Sequence, residues 1–146
     1  MKMTSVLFAV MLGAGLAGRG AAADLPAALV DPYLQVQVAL SSDKIDGLAA
    51  QALAIEKAAT ALGPEAEAIA GAAKKLSAAK DIAAARTAFG DVSTALTAYA
   101  EKTKSGFGPD VRLAFCPMVN KPWLTKDKSI RNPYYGAAML TCGSFK

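Results

Sequence analysis

The sequence predicts an all-α domain, an up-and-down bundle of about four helices closed by an irregular Cys/Met/aromatic tail with short β segments. Three observations predict it. Apolar residues recur at alternating spacings of three and four through two long stretches, 45–62 and 82–99, the pattern of one buried helical stripe. Short breaks separate the helical stretches, which favours antiparallel neighbours. At Ser105-Gly106-Phe107-Gly108-Pro109 turn-forming residues end the helical pattern within five positions.

The chain opens with Lys2, an uncharged apolar run from Val6 to Leu16, and then Gly18, Arg19, Gly20 and three alanines. A basic start, an apolar segment of about 7–15 residues and a small-residue cleavage site make up a signal peptide. Cleavage is expected after Ala23, leaving residues 24–146 as one domain in the periplasm or outside the cell. The apolar run is shorter than the roughly 20 residues a membrane-spanning helix needs, so no retained span is expected.

A first helix is expected from Asp31-Pro32, an N-cap followed by a first-turn proline, to about Ser41-Ser42, with Val30, Tyr33, Leu34 and Val38 facing inward. The second starts near Ser42 or Asp43 and carries Ile45, Leu48, Ala52, Ile55, Ala59 and Leu62 on one stripe. Gly63-Pro64 ends it. A shorter Ala-rich helix follows, with Ala66, Ile69, Ala73 and Leu76 inward. Asp81 then caps a fourth helix whose stripe is Ile82, Ala85, Phe89, Val92, Leu96 and Tyr99. The helical body thus spans residues 24–104. Much of its apolar content is alanine, which buries little area per residue, so the core is thin and a covalent or metal staple would stabilise it.

Residues 105–146 form the tail. It holds the only Trp and both Cys, and three of the seven Pro, at 117, 122 and 133, fall within residues 111–146. Residues 111–115 and 139–142 read as short extended segments, and Asn132-Pro133 as a turn. Charge divides along the same boundary. Residues 24–101 carry six Lys/Arg against ten Asp/Glu, whereas residues 102–146 carry eight against two, so an acidic body meets a basic tail.

The chemistry is bounded by what is missing. The chain has no His, which removes the usual general base and the usual partner of a nucleophilic Ser or Cys. No phosphate-binding glycine loop or nucleophile-elbow pattern occurs, and no enzymatic activity is expected. Two cysteines fall short of the four ligands of a closed zinc site or an iron–sulfur cluster. What remains is a soft constellation of Cys116, Met118, Met139 and Cys142. Thiolate and thioether are the donors that select Cu(I), and Trp123 could cap such a site through its ring face. Competing with this is a Cys116–Cys142 disulfide, the usual state of two cysteines in an exported protein. It would contribute roughly 3–4 kcal/mol by closing its loop. The interleaved cations and rings Trp123, Lys126, Arg131, Tyr134 and Tyr135 mark a partner-binding face. Export makes nucleic acid an unsuitable partner for it, and either an acidic partner or the chain's own acidic helical body a suitable one.

Phe115-Cys116-Pro117-Met118, Trp123-Leu124, Asn132-Pro133-Tyr134-Tyr135-Gly136 and Met139-Leu140-Thr141-Cys142-Gly143 together resemble the signature of an uncharacterised periplasmic domain family. Its members occur as small exported proteins and at the C-terminus of adaptor subunits of heavy-metal efflux pumps. The resemblance covers about residues 113–145. It departs mildly at Phe115, where an aromatic with a polar tip is more usual, and the Ala-rich body diverges further. It implies a helical bundle closed by this tail, a setting in envelope metal homeostasis with efflux or metal-handling proteins as partners, and no enzyme activity.

Overall fold

The computed structural model describes residues 23–146, so the signal peptide expected over residues 1–23 lies, Ala23 apart, outside the described residues. Four helices, α1 (Ala27–Ser41), α2 (Leu48–Ala61), α3 (Glu67–Ser77) and α4 (Ile82–Thr103), precede three strands, β1 (Arg112–Cys116), β2 (Lys121–Thr125) and β3 (Ser144–Phe145). The all-α expectation is therefore corrected. The tail is not an irregular closure but an antiparallel sheet of order β2-β1-β3, and the architecture is mixed, dominated by helix. Among the described residues no helix is long and apolar enough to cross a membrane.

The two later helices follow their stripes closely. Asp81 caps α4, its carboxylate accepting the Ala84 N–H at 2.8 Å, and Ala85, Phe89, Val92 and Leu96 are buried. Ala66, Ile69, Ala73 and Leu76 line the inner face around α3. The earlier boundaries differ. α1 begins four residues before Asp31 and contains Pro32 in its second turn, where the missing N–H removes a single hydrogen bond. Its start is set by a tertiary contact: Leu25 N–H donates to the Gly106 carbonyl at 2.8 Å. Val38 is exposed, because Tyr33, Val36, Gln37 and Leu40 take the inner face. α2 begins only at Leu48, since Asp43 (φ 57°) and Gly47 (φ 76°) turn the chain through left-handed backbone. Ile45 accordingly leaves the stripe and is exposed.

The helices pack in chain order, α1 on α2, α2 on α3 and α3 on α4, while the backbones of α1 and α4 stay apart and the two helices meet through long side chains. Strand β2 occupies the seam between them. Tyr33 of α1 joins the three elements: its hydroxyl pairs with Ser93 Oγ of α4 at 2.6 Å and accepts the Leu124 N–H of β2 at 3.1 Å. Rings continue the contact, with Tyr33 stacked on Phe89 at 4.9 Å, Phe89 against Tyr134 at 5.8 Å, and Tyr134 edge-on to Trp123 at 6.1 Å. Burial pushes both phenols, Tyr33 and Tyr134, far above the ordinary tyrosine pKa. They therefore remain neutral hydrogen-bonding groups at physiological pH.

β1 and β2 form a hairpin with Ala114 opposite Trp123 and Cys116 opposite Lys121. Ala114, Cys116 and Trp123 face the helices. At the rim of the sheet the Arg112 guanidinium lies 3.8 Å from the centre of the Phe145 ring, and on the face opposite Ala114 and Cys116 Lys146 Nζ lies 4.7 Å from the centre of the Phe115 ring. Pro122 can sit in β2 because this strand is an edge of the sheet and its missing N–H leaves no ladder bond unmade.

Candidate soft-metal site

Two short segments carry the four sulfur residues. Cys116 ends β1, and Met118 stands in the hairpin loop that follows. Met139 ends a 3-10 turn, Gly136–Met139, and Cys142 follows it, its N–H donating to the Met139 carbonyl at 3.0 Å. β3 pairs with β1 through Phe115 and Ser144, so continuing the register brings the residues just before Ser144 alongside Cys116. The sheet unites the two segments in this way.

Cys116 is fully buried and Cys142 half-buried, both as free thiols. Continuing the register brings the two cysteines close enough for the Cys116 sulfur to bear on the Cys142 thiol. Burial, and then the neighbouring Cys116 sulfur, push its pKa up, because a second thiolate beside a first is unfavourable. A bound cation would reverse that balance by accepting both negative sulfurs. Met118 and Met139 are exposed, and their unbranched thioether chains are free to turn. Among the described residues no three His, Cys, Asp or Glu side chains converge on one point. A cation at this edge would thus rely on thiolate and thioether.

The segment between the sulfurs is held by Asn132, which sequence reading identified only as a turn residue. It is fully buried. Its Nδ2 donates to Cys116 Sγ at 3.2 Å and to the Cys142 carbonyl at 2.8 Å, while its Oδ1 accepts the Tyr134 N–H at 2.8 Å. Its backbone N–H donates to the Leu140 carbonyl at 2.7 Å, and its carbonyl accepts the Gly136 N–H at 3.0 Å. One side chain therefore touches both cysteine residues. The Asn-Pro dipeptide signalled the turn, but no spacing rule links position 132 to 116.

Trp123 is not at the surface. It is fully buried on the face of β2 turned to the helices, and its Nε1 has no hydrogen-bond partner among the described residues. Gly143 crosses its ring with φ 128°. A Cβ there would lie 2.7 Å from Trp123 Cη2 and 2.8 Å from the Phe115 carbonyl oxygen, so only glycine lets the chain after Cys142 lie this close. The residues expected to form a partner-binding face are separated. Trp123 and Tyr134 are in the core, Tyr135 and Arg131 are half-buried, and Lys126 is exposed. Part of the tail's positive charge is used internally, as Lys121 Nζ pairs with Asp91 of α4 at 2.9 Å.

A second clamp anchors the tail to the body; sequence reading named only its Asp43, and that as a helix start. Arg86 of α4 donates to the Pro133 carbonyl and to the Leu40 carbonyl, each at 2.9 Å, and to Asp43 at 2.6 Å. The other Asp43 oxygen accepts the Ala137 N–H at 2.9 Å. Gly136 (φ 56°) leaves the space this pair occupies. The Ala137 N–H, and then the Arg86 guanidinium, hold the Asp43 carboxyl below its ordinary value of 3.8. A lowered folded-state pKa contributes stability that is present above the unfolded value and lost as pH falls through the folded one. Asp43→Asn is thus expected to destabilise the protein at neutral pH and to match the parent once pH falls well below 3.8. Urea midpoints of both proteins measured from pH 7 to pH 2 check this, and a pH-independent difference would refute it.

No protein-family model, curated protein or solved structure matches this chain.

Proposed function

We propose that this is an exported binding domain that takes a soft cation of the Cu(I) type at the Cys116–Cys142 edge and serves metal handling in the cell envelope. The observation that carries the reading is the pair of cysteines brought together by the β1–β3 register and bridged by Asn132, on segments that also present Met118 and Met139. Two thiolates supply the charge and softness that Cu(I) prefers, and a thioether can add a third soft donor. Trp123 acts from behind, as the packed support of Gly143, rather than as a cap. The envelope setting rests on the signal-peptide layout of residues 1–23 and on the resemblance of residues 113–145 to the domain found with heavy-metal efflux adaptors, whose subunits are the partners this reading suggests.

The same meeting of thiols favours a second reading. A Cys116–Cys142 disulfide would staple β1 to the end of the tail, and the domain would be an interaction module that presents Lys126, Arg131 and Tyr135 to an envelope protein without binding metal.

Titrating reduced protein with Cu(I) in competition with a chromophoric Cu(I) chelator separates the two. One ion bound per chain, blocking alkylation of both thiols, is the expected result. Failure to compete, together with a mass two hydrogens short in protein isolated without reductant, would establish the staple instead.

A further inference from the structure

We infer that Asn132 sets the redox preference of the cysteine pair, favouring the dithiol that receives an ion over the disulfide that cannot. The inference deepens the metal-binding reading and rests on it for its functional meaning, although its chemistry can be measured without metal.

The orientation of the Asn132 amide is determined by its partners. Oδ1 must accept from the Tyr134 N–H, and Nδ2 must donate to the Cys142 carbonyl. Exchanging the two would set oxygen against oxygen and N–H against N–H. One Nδ2 hydrogen is therefore directed at Cys116 Sγ, 3.2 Å away, inside a fully buried environment. A thiol accepts this bond, and a thiolate accepts it more strongly because the acceptor is charged. A disulfide sulfur cannot take up the negative charge that strengthens this bond in the thiolate, so it holds the N–H only in the weaker, neutral form. Oxidation thus leaves a buried N–H with a weakened partner, which disfavours the oxidised form. The remaining polar groups of Asn132 are all engaged, so the residue cannot turn to find another acceptor.

The reaction concerned is exchange with a small disulfide such as oxidised glutathione. One protein thiolate attacks the glutathione disulfide and releases one glutathione thiolate. The second protein thiolate then displaces the other glutathione as the Cys116–Cys142 bond forms. Two electrons pass from the protein sulfurs to glutathione, and the two thiol protons leave with the products.

The test equilibrates metal-free protein in glutathione redox buffers and measures the oxidised fraction by alkylation and mass spectrometry. Asn132→Asp keeps the acceptor for Tyr134 and removes the donor. It is expected to shift the equilibrium toward disulfide about tenfold, equivalent to a reduction potential lower by roughly 30 mV. Asn132→Ala, which adds no charge, should shift it in the same direction. Equilibria within twofold of the parent in both variants would overturn the inference. In the unaltered protein, the side-chain amide protons of Asn132 should exchange with solvent at least tenfold faster after oxidation. Equal protection in both forms would overturn the inference even if a variant fails to fold. Cu(I) titration of the reduced parent stands apart. No binding there, with the redox shifts present, would remove the metal reading and leave the role of Asn132 intact.

Discussion

Replacing Trp123 by alanine is expected to lower the free energy of unfolding by about 3–5 kcal/mol, the range for deleting a large buried aromatic. This is a large share of the roughly 5–15 kcal/mol that holds a domain together. The effect should sit at the upper end because the surroundings collapse poorly. The tryptophan is fully buried, Tyr134 meets it edge-on at 6.1 Å, and Gly143 passes directly over it. Neighbouring Ala114 offers no volume to fill the gap. Trp123→Phe should cost clearly less, since Nε1 makes no hydrogen bond that phenylalanine would forfeit. Urea unfolding of the three proteins decides the matter. A loss below about 1 kcal/mol for Trp123→Ala would show that the tail does not close the core.

Substituting serine at either cysteine is expected to lower Cu(I) affinity by at least about a hundredfold, the upper end of what losing an outer-shell partner costs a metal site. Serine offers a hard oxygen in place of a soft sulfur. Cys116→Ser should have the larger effect, because Cys116 is the buried thiol and the one Asn132 holds. Met118→Leu and Met139→Leu should have smaller effects, since both chains are exposed and must be drawn to the ion. Chelator competition measures all four. If the methionine variants matched the loss seen in the cysteine variants, the ion would lie out between the Met118 and Met139 segments rather than at the cysteine pair. If neither cysteine variant changed affinity, the site would be elsewhere.

The helical body was legible because its information is periodic. The stripes of α3 and α4 and the Asp81 cap require only local geometry, and the structure shows them where the spacing indicated. The start of α1 was not legible, because a contact between Leu25 and Gly106 lies across the whole body. Strand β2 was hidden for two reasons. It contains Pro122, and its buried residues Trp123, Leu124 and Thr125 are contiguous rather than alternating, since they are covered on more than one side. The proximity of Cys116 and Cys142 could be suspected from their chemistry. The Asn132 bridge to both cysteines and the Arg86–Asp43 clamp on the tail could not, as each joins residues far apart in the chain and leaves no pattern in a sequence.

The seam between α1 and α4 has a further consequence, in the order in which the chain is delivered. A polypeptide emerges from the ribosome, or from a translocation channel, with its N-terminal side first. All four helices are then exposed before β2 exists to fill the slot beside Tyr33 and Phe89. The helices can form early but cannot commit to their final packing until residues 121–125 follow. Vectorial delivery therefore makes closure of this core a late event, and holds the chain in a pliable state for as long as it is still being threaded.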